Sequence, residues 1–333
     1  MATVTRVRLA YNSVYAVDDG AGRVLIDTGP DFRGAVEAID ASLGGRQPSL
    51  VVATHGHLDH AGLGWLWRER GVPVSAGAGD RHLLGHPALS EPAEFRAFAR
   101  YIEECGAPPE LQATMLAGIE QRREWAARAA SDAPHLPAPP DRRWPTGLRF
   151  RPFAPSSWIT ASGPVGESLP VTALLSPGHT PGNLALIVPA EGWLFSGDQL
   201  LPEITPTPAI QARTRPGEGG DWRYHSLPHF VASLRALEKL EFSRCFPGHG
   251  DPFDNVAETI RANLVQVEQR TEKVLAILRD VGQAAPFALC ERLYPKAAQR
   301  RPWQILATVQ GHLDLLESEG RVTVFDGLYA AAV

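Results

Sequence analysis

The sequence predicts an α+β protein in which strands open the chain, a helical segment interrupts them, and helices close it. Short runs of apolar or alternating residues, bounded by turn residues, are typical of strands. They fall at 4–9, 13–18, 23–27, 49–53, 171–175, 184–188 and 193–196. Helical periodicity covers 32–43 and most of the stretch from residue 81 to about 130, and it returns at 256. A mixed domain with a helical insertion is therefore expected.

The C-terminal part has its own pattern. Helical runs at 256–281, 286–294 and 303–317 precede two short strands, 321–325 and 328–331, around an Asp326-Gly327 turn. Helices followed by a hairpin indicate a small winged-helix-like unit. We therefore expect one domain over 1–257, with 81–133 inserted as a cap, and a second over 258–333. Prolines crowd 134–155, which predicts an irregular connector.

Composition excludes several classes of protein. With 44% hydrophobic and 21% charged residues, the 333-residue chain has the balance of a folded globular protein. Its formal charge of −5 provides no overall basic field for nucleic acid. No run approaches about 18 apolar residues, and Cys105, Cys245 and Cys290 form no paired framework. A cytoplasmic location without a membrane span is expected.

Potential metal ligands are concentrated directly after the predicted strand at 49–53. The segment Thr54-His55-Gly56-His57-Leu58-Asp59-His60 places four of them within six residues. Imidazole nitrogen and carboxylate oxygen are ligands that zinc and similar divalent metals accept. Packing alone does not explain three of the chain's eleven histidines in so short a segment. The spacing predicts a loop that serves two neighbouring metal ions.

This motif resembles the signature of the metallo-β-lactamase-fold hydrolase superfamily. Three later segments resemble its other ligand loops in the same order: Ser176-Pro177-Gly178-His179-Thr180-Pro181-Gly182, Ser196-Gly197-Asp198 and Pro247-Gly248-His249-Gly250. The similarity covers about 4–254 and implies a four-layered αββα sandwich. Asn183 stands where many relatives have a histidine, which removes no expected ligand.

The resemblance also implies roles for individual residues. His55, His57 and His179 would hold one metal, Asp59, His60 and His249 the other, and Asp198 would bridge them. Two Zn²⁺ ions are expected, although Mn²⁺ and Fe²⁺ accept the same ligands. Such a pair polarises water to hydroxide for attack on the substrate, with Asp59 and Asp198 as catalytic residues. Asp27 could hydrogen-bond a ligand histidine, or it could only cap a turn.

The superfamily contains several activities, and three hypotheses remain open. Residues 197–204 and the C-terminal unit resemble the glyoxalase II-like hydrolases, especially the β-lactamase-like protein 2 subgroup, which is associated with thioester and RNA substrates. A thioesterase-like metallo-hydrolase is favoured. The alternatives are an endoribonuclease or phosphodiesterase with the same metals, and a mononuclear iron oxygenase or non-catalytic metal-binding module.

Substrate and partner predictions are less specific. Tyr224 or His225 could donate a hydrogen bond to a substrate oxyanion, and Arg213 could bind an anionic substrate group. The expected partner is a small acyl substrate. A homodimer and a nucleic-acid partner are also considered, the latter because basic residues recur in the C-terminal unit. These are Arg270, Lys273, Arg279, Arg292, Lys296, Arg300 and Arg301.

Overall fold

The chain forms two larger β-sheets, two smaller ones and eleven α-helices within the part that a computed structural model describes. That part comprises residues 1–10, 12–32, 34–85, 92–129, 148–149, 151–206, 210–212 and 222–332. The strands are β1 (Thr3–Arg8), β2 (Ser13–Asp18), β3 (Arg23–Ile26), β4 (Leu50–Ala53), β5 (Val74–Gly77), β6 (Ser157–Ile159), β7 (Gly163–Pro164), β8 (Thr172–Leu175), β9 (Leu184–Val188), β10 (Trp193–Gly197), β11 (Gln211–Ala212), β12 (Arg223–Tyr224), β13 (Arg244–Pro247), β14 (Gln283–Ala284), β15 (Val322–Phe325) and β16 (Leu328–Ala331).

The helices surround these sheets. They are α1 (Ala35–Leu43), α2 (Leu58–Ala61), α3 (Gly64–Glu69), α4 (Arg81–Gly85), α5 (Pro92–Glu104), α6 (Pro109–Ala129), α7 (Ser226–Glu238), α8 (Val256–Val281), α9 (Pro286–Leu293), α10 (Pro295–Arg300) and α11 (Pro302–Ser318). A 3₁₀ turn at Ala78–Asp80 joins β5 to α4. None of the helices, over the residues the structure describes, is long and apolar enough to cross a membrane.

Each larger sheet has two buried faces. The first runs in the order β1-β2-β3-β4-β5-β6, antiparallel at first and parallel from β3 onward. The second runs β13-β10-β9-β8-β7, with β10 and β13 parallel. Because side chains alternate along a strand, Tyr15 and Val17 pack against Phe195 of the other sheet. Val14 and Ala16 face helices α1 and α3 instead.

Helices α7 and α8 complete the outer layer of the second sheet. Leu227 and Leu234 of α7 and Ile260 of α8 share a core with Ala185 and Leu194 of that sheet. The layers are therefore helix, sheet, sheet, helix, which confirms the expected αββα sandwich.

The helical insertion packs on the C-terminal helices. Phe98 and Ile102 of α5 and Met115 of α6 share one core with Leu278 of α8 and Leu313 of α11. The described part of the insertion, which includes α4 to α6, agrees with the helical pattern predicted from 81 onward. Residues 130–133 and most of the predicted connector lie outside the described residues. A role of the insertion as a cap over the metal loops stays a prediction.

The C-terminal unit contains the expected helices and hairpin. Strand β16 lies between β14 and β15, and the hairpin turns at Asp326 and Gly327, both at positive φ, as the dipeptide predicts. Helix α8 crosses the predicted boundary at 257/258, because its first half packs on the second sheet and its second half on the C-terminal core. The winged-helix designation and the domain boundary stay predictions.

Candidate metal centre

Four loops that follow strands carry the predicted ligands. The loop after β4 carries His55 to His60 and continues into α2. The loop after β8 carries His179, and Asp198 and His249 follow β10 and β13. Strand β4 belongs to the first sheet and β8, β10 and β13 to the second, and the ends of these strands lie at the same edge of the two packed sheets. The seven predicted residues meet there.

Three histidines form a first cluster, the trihistidine cluster. His55 Nε2 lies 3.0 Å from His57 Nδ1, and His57 Nδ1 lies 3.1 Å from His179 Nε2. One ring nitrogen from each histidine therefore points to a common position. The geometry of these three atoms could hold one metal ion.

A second cluster, the aspartate cluster, lies beside the first. His249 Nε2 is 3.2 Å from Asp59 Oδ2 and 3.4 Å from His60 Nε2. His60 Nε2 is 3.5 Å from Asp59 Oδ2. These three residues could hold a second ion.

Asp198 contacts both clusters. Its Oδ2 lies 3.5 Å from His179 Nε2 and 3.3 Å from His249 Nε2, and its Oδ1 lies 3.4 Å from His60 Nε2. A carboxylate between two ligand groups is the arrangement expected of a bridging ligand. All seven predicted residues are thus in one site.

The donor atoms fit a divalent cation better than they fit one another. Neighbouring imidazole nitrogens at 3.0–3.1 Å converge on one point, where a cation can accept all their lone pairs. Asp198 Oδ1 is buried and accepts no hydrogen bond from any residue the structure describes. A Cβ at Gly248 would come within 2.6 Å of that oxygen and of His60 Cε1. The residues therefore fit the metal that the motif implies.

The two clusters differ in their affinity for protons. Burial lowers the pKa of His179 to about 3 and that of His55 well below its usual value. Burial also acts to lower the pKa of His249, but hydrogen bonds to Asp198 and Asp59 outweigh it and raise the pKa to about 10. The pKa of His60 is likewise raised, because three aspartates outweigh its burial. Without a cation, the trihistidine cluster is neutral and the aspartate cluster holds protons.

Asp27 supports the aspartate cluster. Its Oδ2 accepts a hydrogen bond from His60 Nδ1 at 2.7 Å, which is one of the two roles considered for this residue from the sequence. Its Oδ1 accepts hydrogen bonds from the backbone N–H and the hydroxyl of Thr54 at 2.7 and 2.8 Å. Asp27 has φ of 66°, a conformation that non-glycine residues rarely adopt. The strand end therefore turns so that the carboxylate reaches the histidine.

Other supporting residues were not predicted. Buried Asp80 accepts hydrogen bonds from the loop after β4 and from the loop after β8, which carries His179. Gln199 Oε1 accepts a hydrogen bond from the His179 backbone N–H at 3.2 Å, and Gln211 Nε2 donates to the His179 carbonyl at 2.6 Å. A polar residue after a predicted strand was the available signal for Gln199. Asp80 follows a strand that the sequence pattern did not reveal.

The structure describes two of the three residues that were predicted to bind substrate. Tyr224 is buried, and its ring stacks on His229 with centroids 5.1 Å apart. His225 Nε2 lies 3.3 Å from the guanidinium of Arg223. Arg213 lies outside the described residues. Contact of these side chains with a substrate stays a prediction.

The fold and the clusters together define a metal-binding αββα protein. A family model for the metallo-beta-lactamase superfamily matches residues 7–249, and the chain belongs to that superfamily. It is 28% identical to the probable metallo-hydrolase YqjP of Bacillus subtilis over 322 residues, which cover 94% of this chain and 89% of the relative.

Further relatives and a solved structure are also similar to this chain. A beta-lactamase-like protein 2 homolog of Drosophila melanogaster is 26% identical, over 54% of this chain and 55% of the relative. An atrochrysone carboxyl ACP thioesterase of Aspergillus fumigatus is 24% identical, over 83% of this chain and 62% of the relative. A metallo-beta-lactamase family protein of Thermus thermophilus shares the fold, with a TM-score of 0.68 at 22% identity, and the match covers 99% and 98% of the two chains.

Proposed function

We propose that this protein is a dinuclear metal-dependent hydrolase of thioesters or related acyl esters. The observation that carries the proposal is the pair of three-residue clusters that share Asp198. His55, His57 and His179 would hold one ion, and Asp59, His60 and His249 the other. Two Zn²⁺ ions are proposed, because zinc is commonly bound by a small number of histidine nitrogens and carboxylate oxygens.

The chain's own residues prepare the site for hydrolysis. When bound, a pair of divalent cations lowers the pKa of a water molecule and withdraws electron density from a substrate carbonyl. Partial burial acts to raise the pKa of Asp59, whose side chain is 19% exposed, but His60 and His249 outweigh this effect and lower the pKa well below its usual value. In the metal-free protein its carboxylate is therefore ionised near neutral pH, and it would be available to hold a cation or to orient a water molecule.

The choice of an acyl substrate rests on the relatives. One relative, which matches 83% of this chain, carries the name of an ACP thioesterase. The basic residues of the C-terminal unit are mostly exposed on helix surfaces, and Arg292 lies 3.5 Å from Asp280. Exposed charges of this kind are common without a nucleic-acid partner. The acyl ester is therefore the first substrate class to test.

The test combines metal analysis with a substrate panel. Purified protein is expected to contain two metal ions per chain and to hydrolyse acyl thioesters faster than lactones, phosphodiesters or single-stranded RNA. Chelation should remove this turnover and added Zn²⁺ should restore it. The double charge reversal Arg300→Glu and Arg301→Glu should leave thioester hydrolysis unchanged. Full turnover without metal, or one iron per chain with oxygen uptake, would refute the proposal.

Metal binding is expected to release protons from the aspartate cluster. The pKa of His249 is about 10 in the metal-free protein against 6.5 when unperturbed. Its contribution to folding stability is therefore complete below pH 6.5 and is lost as pH rises through about 10. A cation must displace this proton at neutral pH, whereas His179, with a pKa of about 3, has none to lose.

Two measurements check this expectation. Zinc added to metal-free protein at pH 7 in weak buffer should release protons, and His249→Gln should release fewer. The free energy of unfolding of the metal-free protein should fall between about pH 7 and pH 10 by less in that variant than in the original chain. Equal proton release by the two proteins would contradict the assignment.

A further inference from the structure

Asp80 joins the two loops that carry the trihistidine cluster. Only 1% of its surface is exposed, at the end of the turn after β5. Its Oδ2 accepts hydrogen bonds from the Gly56 backbone N–H and the Thr180 hydroxyl, both at 2.7 Å. Its Oδ1 accepts one from the Gly182 backbone N–H at 2.6 Å. Both oxygens of the carboxylate thus accept hydrogen bonds, from three donors in total.

The donors are placed next to the histidines. Gly56 stands between His55 and His57, and Thr180 directly follows His179. The carboxylate therefore connects two loops that are more than a hundred residues apart in sequence, and it constrains the position of one loop relative to the other. A shift of one loop relative to the other would break at least one of the three hydrogen bonds.

Backbone contact reinforces this connection. A Cβ at Gly77 would come within 1.9 Å of the Gly182 carbonyl oxygen, and one at Gly79 within 2.5 Å of Pro181 backbone atoms. The strand that leads to Asp80 therefore touches the His179 loop directly. Such close contact leaves little room for the loop to move while Asp80 holds it.

The aspartate cluster has a different support. Asp27 accepts a hydrogen bond from the ring of His60 and two from Thr54, whose hydroxyl lies 3.1 Å from His55 Nδ1. Asp27 thus contacts a ring of the aspartate cluster directly and reaches the trihistidine cluster only through Thr54, whereas Asp80 contacts the backbone and the Thr180 hydroxyl beside the trihistidine cluster. Removal of a group that holds a metal ligand in place by hydrogen bonding commonly changes metal affinity by about 10- to 100-fold.

We propose that Asp80 is a positioning residue that sets the metal affinity of the trihistidine cluster separately from that of the aspartate cluster. The proposal rests on the ligand assignment given under the proposed function. Its main consequence is that the two sites can be weakened one at a time, by changes at Asp80 or at Asp27.

The variant Asp80→Asn tests the proposal because an amide cannot accept at both ends. Its oxygen can serve two donors, but its NH₂ group then faces a third N–H. We expect one of the two cations to bind about 10- to 100-fold more weakly, with the other changed by less than about threefold. Competition of Zn²⁺ with a chromophoric chelator measures both affinities, and anomalous scattering at the zinc edge shows which site is depleted.

Matched variants separate positioning from general damage. Thr180→Val removes one donor from Asp80 and should weaken the same cation, whereas Thr180→Ser keeps the hydroxyl and should restore its affinity. Asp31→Asn changes a buried carboxylate that contacts Trp65 and Arg149 instead, and it should leave both affinities unchanged. Asp27→Asn should weaken the other cation. The Thr180 pair decides the question if Asp80→Asn does not fold.

Two results would overturn the proposal. One is wild-type affinity for both cations in Asp80→Asn, and the other is an equal loss at both sites in Thr180→Val. Failure of the proposed function looks different, since a protein that binds two cations and hydrolyses no acyl ester would refute that function while these affinities still test Asp80. A wild-type chain that binds a single cation would refute the ligand division itself.

Discussion

Replacement of Asp198 by alanine is expected to abolish most of the hydrolytic activity. The side chain is 11% exposed and contacts His179, His60 and His249, so its loss removes a ligand from both proposed metal ions at once. Metal ions commonly contribute several kcal/mol to transition-state stabilisation, so a loss of about 10³-fold in kcat is expected. Steady-state kinetics on the best thioester and metal content after gel filtration measure the two effects together.

The control for this variant is an exposed aspartate close in sequence to His249, one of the residues that Asp198 contacts. Asp251 lies two residues after His249, its side chain is 68% exposed, and it pairs with Arg6. Asp251→Ala should keep both metals and near-wild-type turnover. An Asp198→Ala protein that retains two ions and normal kcat would show that Asp198 does not bridge the clusters.

Replacement of Arg223 by alanine is expected to cost about 3–5 kcal/mol in the free energy of unfolding, because it leaves a buried carboxylate without its cation. Arg223 and Asp314 are 8% and 2% exposed and are in direct contact. Asp314 also accepts a hydrogen bond from Gln310. The Gln310 side chain in turn accepts a hydrogen bond from Tyr101 of the insertion and donates one to Tyr329 of β16. Urea denaturation of the metal-free protein measures the loss.

An exposed ion pair provides the comparison. Arg244 and Asp254 contact each other with side chains that are 48% and 64% exposed, and exposed pairs contribute about 0–1 kcal/mol. Arg244→Ala should therefore destabilise the protein by less than about 1 kcal/mol. Similar losses in the Arg223 and Arg244 variants would mean that the buried pair stabilises the protein no more than the exposed pair does.

Regular patterns in the sequence predicted much of the fold. Strand β2 and helix α8 have the predicted bounds, because each presents a complete apolar pattern between turn or cap residues. Strands β5 and β6 were not predicted. Their sequences, VSAG and SWI, are too short to show a period, and parallel pairing to neighbouring strands is what makes them strands.

The candidate site could be predicted where ligands lie close together in sequence. His55 to His60 form a dense motif, and the resemblance supplied the remaining three residues. Asp80 could not be found in this way, because one aspartate in a glycine-rich turn shows no pattern and its partners are distant in sequence. The packing of the insertion was also missed. An amphipathic helix shows which face is buried, but not which part of the chain covers it.

The contact between the insertion and the C-terminal helices has a consequence for biosynthesis. The hydrogen bond from Tyr101 to Gln310 spans 209 residues, a length that a ribosome translating about 5–20 residues per second needs about 10–40 s to add. Throughout that interval the apolar faces of α5 and α6 lack the helices that cover them in the folded protein. The nascent chain thus exposes an apolar surface on the insertion until the C-terminal helices have been synthesised.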